Sequence, residues 1–135
     1  MLNPFPDLLT YSLVAPFILR LTLGFILVNL GYLKLTKEKA RWGVIFELLH
    51  IKRYERFAAQ VVGTLEIVGG LMLITGFYAQ IAALAFLILN GAEMYIEYKD
   101  ETLLRRDIVF YVLIFVIALS LMFTGAGFLA FDLPL

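Results

Sequence analysis

Between Ala58 and Tyr78 the chain reads AAQVVGTLEIVGGLMLITGFY, an apolar run with one carboxylate, Glu66, near its middle. About 20 apolar residues are what a helix needs to cross a hydrocarbon core of ~30 Å. A carboxylate at that depth costs roughly 2.5–3.5 kcal/mol or more, so Glu66 is expected to face protein or water and not lipid. Gly63, Gly69 and Gly70 lie three or four residues away, on the same helical face. Glycine lets a second backbone come close, as helix interfaces in membranes require. A glycine-lined face holding one acid belongs at the centre of a helix bundle.

Composition supports a membrane setting. The 135 residues are 62% hydrophobic with a mean hydropathy of +0.92, whereas soluble domains lie nearer 45–50% apolar. The formal net charge is zero, which removes the electrostatic case for nucleic acid. Cysteine is absent, so disulfides, thiolate metal sites and a cysteine nucleophile are excluded. The single histidine, His50, is too few for a bis-histidine haem or a multi-histidine metal site within one chain. The remaining acids are scattered, and no metal site is expected.

Read in order, the chain forms one all-α membrane domain over residues 1–135. It is expected to be an antiparallel four-helix bundle with spans near 12–35, 58–78, 79–98 and 107–123. No Lys or Arg precedes Arg20, so the pattern of a cleaved signal peptide is missing and the first span is expected to remain. Arg20, Gly24, Gly31 and Lys34 fall near one face of that span. The following polar segment, 36–57, mixes Trp42, Ile45, Phe46, Leu49 and Tyr54 with basic residues. It reads as a short amphipathic helix in the headgroup region, or as a loop with a Trp anchor. The link between the second and third spans is so short that they must form a hairpin. The second and fourth spans end alike, in LMLITGF and LMFTGAGF, a weak sign of an internal repeat. All basic residues except Arg20 fall in the first and third links. The positive-inside rule then places both links in the cytoplasm and both termini outside a multi-pass cell-membrane protein.

The polar residues inside the spans are the candidate site. At ~1.5 Å per residue, Glu66 and Asn90 come to similar depth, with Glu93, Asp107 and Lys34 progressively nearer the cytoplasmic side and Arg20 nearer the outer side. They outline a polar pocket opening toward the cytoplasm, lined by Lys34, Glu66, Asn90, Glu93 and Asp107. Each residue also has a structural reading. Lys34 snorkels to headgroups, Asp107 caps the fourth helix, Glu93 and Glu97 sit at the wet end of their span, and Asn29 and Asn90 bond between helices. Arg20 and Glu66 lie deep in apolar runs; they pair with each other, or contact a ligand, or Glu66 takes up protons because desolvation favours its neutral form.

The pattern Arg20-x3-Gly24-x6-Gly31-x2-Lys34 resembles the opening of DoxX-type membrane proteins. So do Glu66-x2-Gly69-Gly70-Leu71-x4-Gly76 and the closing Gly125-x-Gly127-x4-Asp132. The resemblance runs in order along nearly the whole chain. It implies a four-helix membrane protein whose relatives include the small subunit of a thiosulfate:quinone oxidoreductase and partners of membrane redox complexes, and it puts weight on Arg20, Lys34 and Glu66. Three positions depart from the family's pattern. Gln80 stands where an Arg is common after the second span, Ala126 replaces a Pro between the last glycines, and the third span lacks a His seen in many members. The missing His weakens an inherited redox role.

Three functions follow as expectations. The first is a membrane subunit that binds a hydrophobic ligand, a non-covalently held quinone, in a redox system whose electrons come from a membrane or peripheral partner subunit. Arg or Lys would supply the hydrogen-bond donor and a carboxyl the proton. The second is a non-enzymatic lipid-binding or assembly protein, and the third a small proton-coupled transporter, for which a homo-oligomer would build the pathway. Whether the chain itself is catalytic is not decided by its residues.

Overall fold

The computed structural model describes residues 11–38, 40, 42, 44–45, 55–99, 106–127 and 129–131. The helices given full bounds among these residues are α1 (Val14–Thr36), α2 (Glu55–Thr75), α3 (Ala79–Lys99) and α4 (Ile108–Thr124). No strand occurs among the described residues. α1 and α3 are long and apolar enough to cross a membrane, while the apolar stretches Ala59–Thr75 and Ile108–Thr124 are shorter. Most of the expected amphipathic helix of the first link lies outside the described residues. Within it, Trp42 and Ile45 are buried and Val44 is exposed.

Local chemistry sets the helix ends. Pro16 falls in the first turn of α1, where its missing N–H has no intrahelical partner to lose. α2 stops three residues short of the expected 78. Its end is a Schellman motif: Phe77 N–H donates to Met72 C=O at 3.0 Å and Gly76 N–H to Leu73 C=O at 3.2 Å. The motif needs a left-handed residue after the last helical one, and Gly76 supplies it at φ +72°. Tyr78 follows at φ +46° and its carbonyl receives the Ala82 N–H, starting α3 at once. Gly125, at φ +78°, ends α4 with its N–H on Leu121 C=O.

Glycine sets the packing. α1 and α2 run antiparallel with Gly24 against Gly70 and Gly31 against Gly63. A Cβ placed on Gly24 would lie 2.8 Å from Gly70 O, and one on Gly63 would lie 2.9 Å from Gly31 O. The two backbones therefore touch. The glycines flanking Glu66 do not serve one neighbour: Gly63 and Gly70 face α1, whereas Gly69 receives the Phe86 ring of α3. α3 and α4 form a second antiparallel pair, with Gln80 Nε2 donating to Met122 C=O and Asn90 Nδ2 to Tyr111 C=O.

The pairs share a core of Leu23, Leu27, Leu30, Leu73, Phe86, Ile114, Ala118 and Leu121. Trp42, Ile45, Ala59, Ile96 and Tyr111 form a smaller core at the Lys34 end. Large apolar side chains cover the outside, with Phe25 62% and Ile88 70% exposed, while Arg20, Lys34, Glu66 and Glu93 are at most 4% exposed. Apolar outside and charged inside is the arrangement that hydrocarbon favours and water does not.

Candidate functional site

Three of the expected polar residues meet where α1, α2 and α3 converge. Gly31 makes the approach: a Cβ there would sit 3.1 Å from the Glu66 Cβ and would also strike the α2 backbone. With glycine at that position, Glu66 reaches under α1. Lys34, one turn further along, donates from Nζ to Glu66 Oε1 and to Glu93 Oε1. Its ammonium also lies 4.7 Å from the centroid of the Trp42 ring, within cation–π range. Lys34 therefore turns inward and does not snorkel. Glu66 Oε2 has no hydrogen-bond partner among the described residues.

The other expected residues lie around this cluster or away from it. Asn90, one turn from Glu93, is occupied in the 2.6 Å bond to Tyr111 C=O and ties α3 to α4. Asp107 is exposed at the start of α4 and makes no side-chain cap bond. Glu97 is buried one turn beyond Glu93, contrary to the expectation of a wet position. Glu97, Tyr98, Asp107 and Ile108 line a recess of about 360 Å³. Asn29, expected between helices, is exposed on the outer face of α1.

Arg20 is not paired with Glu66. Because Gly24 lies against Gly70, Arg20 lies beside Gly76, ten residues or ~15 Å along α2 from Glu66. There its Nη1 donates to Ala126 C=O at 2.8 Å and Nη2 to Leu129 C=O at 3.3 Å. Its guanidinium also lies 5.3 Å from the Phe17 ring centroid. Arg20 thus fastens the segment after α4 to the α2–α3 turn.

Two residues near the cluster were not anticipated. Glu38 is 7% exposed and lies 3.6 Å from Arg106, which rests over the Phe110 ring at 5.5 Å. Both fall in charged links, where nothing in the local sequence separates them from their solvated neighbours. Among the described residues no group of three His, Cys, Asp or Glu is placed to hold a metal ion.

A profile of the DoxX family matches residues 15–96, more than half of the chain, and includes Arg20, Lys34, Glu66 and Glu93. The chain belongs to the DoxX family. Neither a curated protein nor a solved structure matches it. This DoxX membrane protein thus carries its ionic cluster inside the matched region, while Ala126 and Leu129, which hold Arg20, lie beyond it.

Proposed function

We propose that this DoxX protein is a membrane subunit holding the polar head of a hydrophobic ligand, a quinone, at the Lys34–Glu66–Glu93 cluster. In this reading all four helices cross the bilayer, links one and three face the cytoplasm, and both termini lie outside. The supporting observation is the convergence of three buried ionisable side chains from three helices beside the apolar core. An ammonium has three donors. Two go to the carboxylates, which leaves one for a quinone carbonyl, and Glu66 Oε2 is available to a hydroxyl. Electrons would come from a partner redox subunit. Asn29 on the outer face of α1 suits a hydrogen bond to that partner or to a second copy.

Trp42 is the only tryptophan and lies beside Lys34, so it reports directly on this site. Titrating a soluble quinone into the purified protein should quench Trp42 fluorescence saturably, and Glu66→Gln should weaken that binding. Quenching that stays linear with quinone concentration in both proteins would argue against the reading.

A second reading has its own support: Lys34 ties the carboxylates of two other helices together, as a structural staple in an assembly or lipid-binding protein would. Under it, Glu66→Gln lowers stability and leaves ligand content unchanged. Proton-coupled transport ranks third and would use the same cluster.

A further inference from the structure

We propose that the Lys34–Glu66–Glu93 cluster binds one exchangeable proton, which enters and leaves through the recess lined by Glu97 and Asp107. Two carboxylates face one ammonium, and all three side chains are almost wholly withdrawn from solvent. A surplus negative charge in such a place is costly, and a group so buried ordinarily neutralises by taking up a proton. Glu66 Oε2 points the same way. As a carboxylate oxygen it would be both charged and without a partner among the described residues, whereas a neutral carboxyl removes the larger part of that cost.

Among the described residues, the surrounding groups do not remove the surplus. On the α1 side stand Lys34 and, just beyond the helix, Glu38; on α2, Glu66; on α3, Glu93 and Glu97; and at the start of α4, Arg106 and Tyr111. Arg106 has its ion-pair partner in Glu38, at 3.6 Å. The Trp42 ring covers Lys34 and adds no charge.

Geometry supplies the route. Glu93 and Glu97 are one turn apart on the buried face of α3. Glu97 also lines the recess, whose far wall carries the exposed Asp107. At about 360 Å³ the recess has room for several waters. In one transfer, a hydronium ion arriving in the recess from bulk protonates Glu97 and is left as water, and Glu97 passes its proton to the Glu93 carboxylate and returns to its charged form. One O–H bond breaks in hydronium and one forms in the cluster, so a single proton moves from bulk to the buried site.

The test is infrared spectroscopy of the protein in lipid vesicles at neutral pH, following the C=O stretch of protonated carboxyls and its exchange in deuterated buffer. Wild type should show one such group per chain. Either Glu66→Gln or Glu93→Gln should abolish it, because each leaves one carboxylate balanced by Lys34. Glu97→Gln should keep the band but slow its exchange by about tenfold or more. Ile108→Trp, a change at an exposed position that fills the recess, should do the same with no buried group altered. Absence of the band in wild type, or its survival in both the Glu66 and Glu93 variants, overturns the proton site. Exchange as fast as wild type in both recess variants overturns the route. None of these readouts involves a quinone, so the proton site stands or falls separately from the ligand.

Discussion

Lys34 on α1 donates directly to Glu93 on α3, across 59 residues of sequence. The same ammonium bonds Glu66 on α2. One side chain thus joins the tightly packed α1–α2 pair to the α3–α4 pair, at the seam where the two halves of the bundle meet.

Removing Lys34 should therefore cost more than removing either acid. Lys34→Met leaves two buried carboxylates facing each other, and breaking a buried pair in this way costs roughly 3–5 kcal/mol. Neutralising the acids as well, with Glu66→Gln and Glu93→Gln in the Lys34→Met background, should recover most of the loss. Thermal unfolding in detergent measures both, and a single variant as stable as wild type would contradict the central place of Lys34.

The glycines separate into two classes with opposite expected signs. Gly70→Ala puts a Cβ 2.9 Å from Gly24 O and should destabilise by about 1–3 kcal/mol, because the helix backbones must part. Gly91→Ala meets only Phe115, at 4.0 Å, and should be neutral or gain up to ~1 kcal/mol from helix propensity. The comparison needs only melting temperatures of the two variants. Equal losses at both positions would mean that α1 and α2 are not in backbone contact.

These positions also explain what could be read from the sequence. Helical class, the buried nature of Glu66 and the α2–α3 hairpin were visible, because hydropathy and link length act locally. The partner of Glu66 was not, because it depends on the register of α1 on α2. A signal for that register exists: Gly24 and Gly31 are spaced as Gly63 and Gly70 are, and an antiparallel zipper of these pairs places Arg20 beside Gly76. Comparing depths alone, without that register, brings Arg20 to Glu66. The burial of Glu38 had no such signal, since it lies next to charges that are solvated, whereas Glu97 shares one helical face with Asn90 and Glu93, seven and four residues before it.

Arg20 should act on the far end of the bundle. Arg20→Lys keeps the charge but cannot hold the Ala126 and Leu129 carbonyls together as a planar fork does. Limited proteolysis should then cut the segment after α4 faster than in wild type, with quinone binding unchanged. Altered ligand binding in this variant would link Arg20 to the site, against the separation of ~15 Å along α2.

Gly76 carries two constraints. Its backbone is left-handed at φ +72°, and a Cβ there would meet the Arg20 guanidinium and the Ala130 side chain. Gly76→Ala should lower stability by about 1–3 kcal/mol, and combining it with Arg20→Lys should cost less than the two separately, because both disturb one contact. A double-mutant cycle on thermal unfolding checks the coupling; strictly additive effects would separate the turn from Arg20.

The central claim is that the Lys34–Glu66–Glu93 cluster holds a ligand, and mass spectrometry of organic extracts tests it most directly. Protein purified gently from membranes would be extracted beside its Glu66→Gln variant. A stoichiometric quinone in wild type, lost in the variant while the variant remains folded, is the expected result. Only bulk phospholipid in both, with Glu66→Gln merely less stable, would contradict it and make the cluster a structural staple.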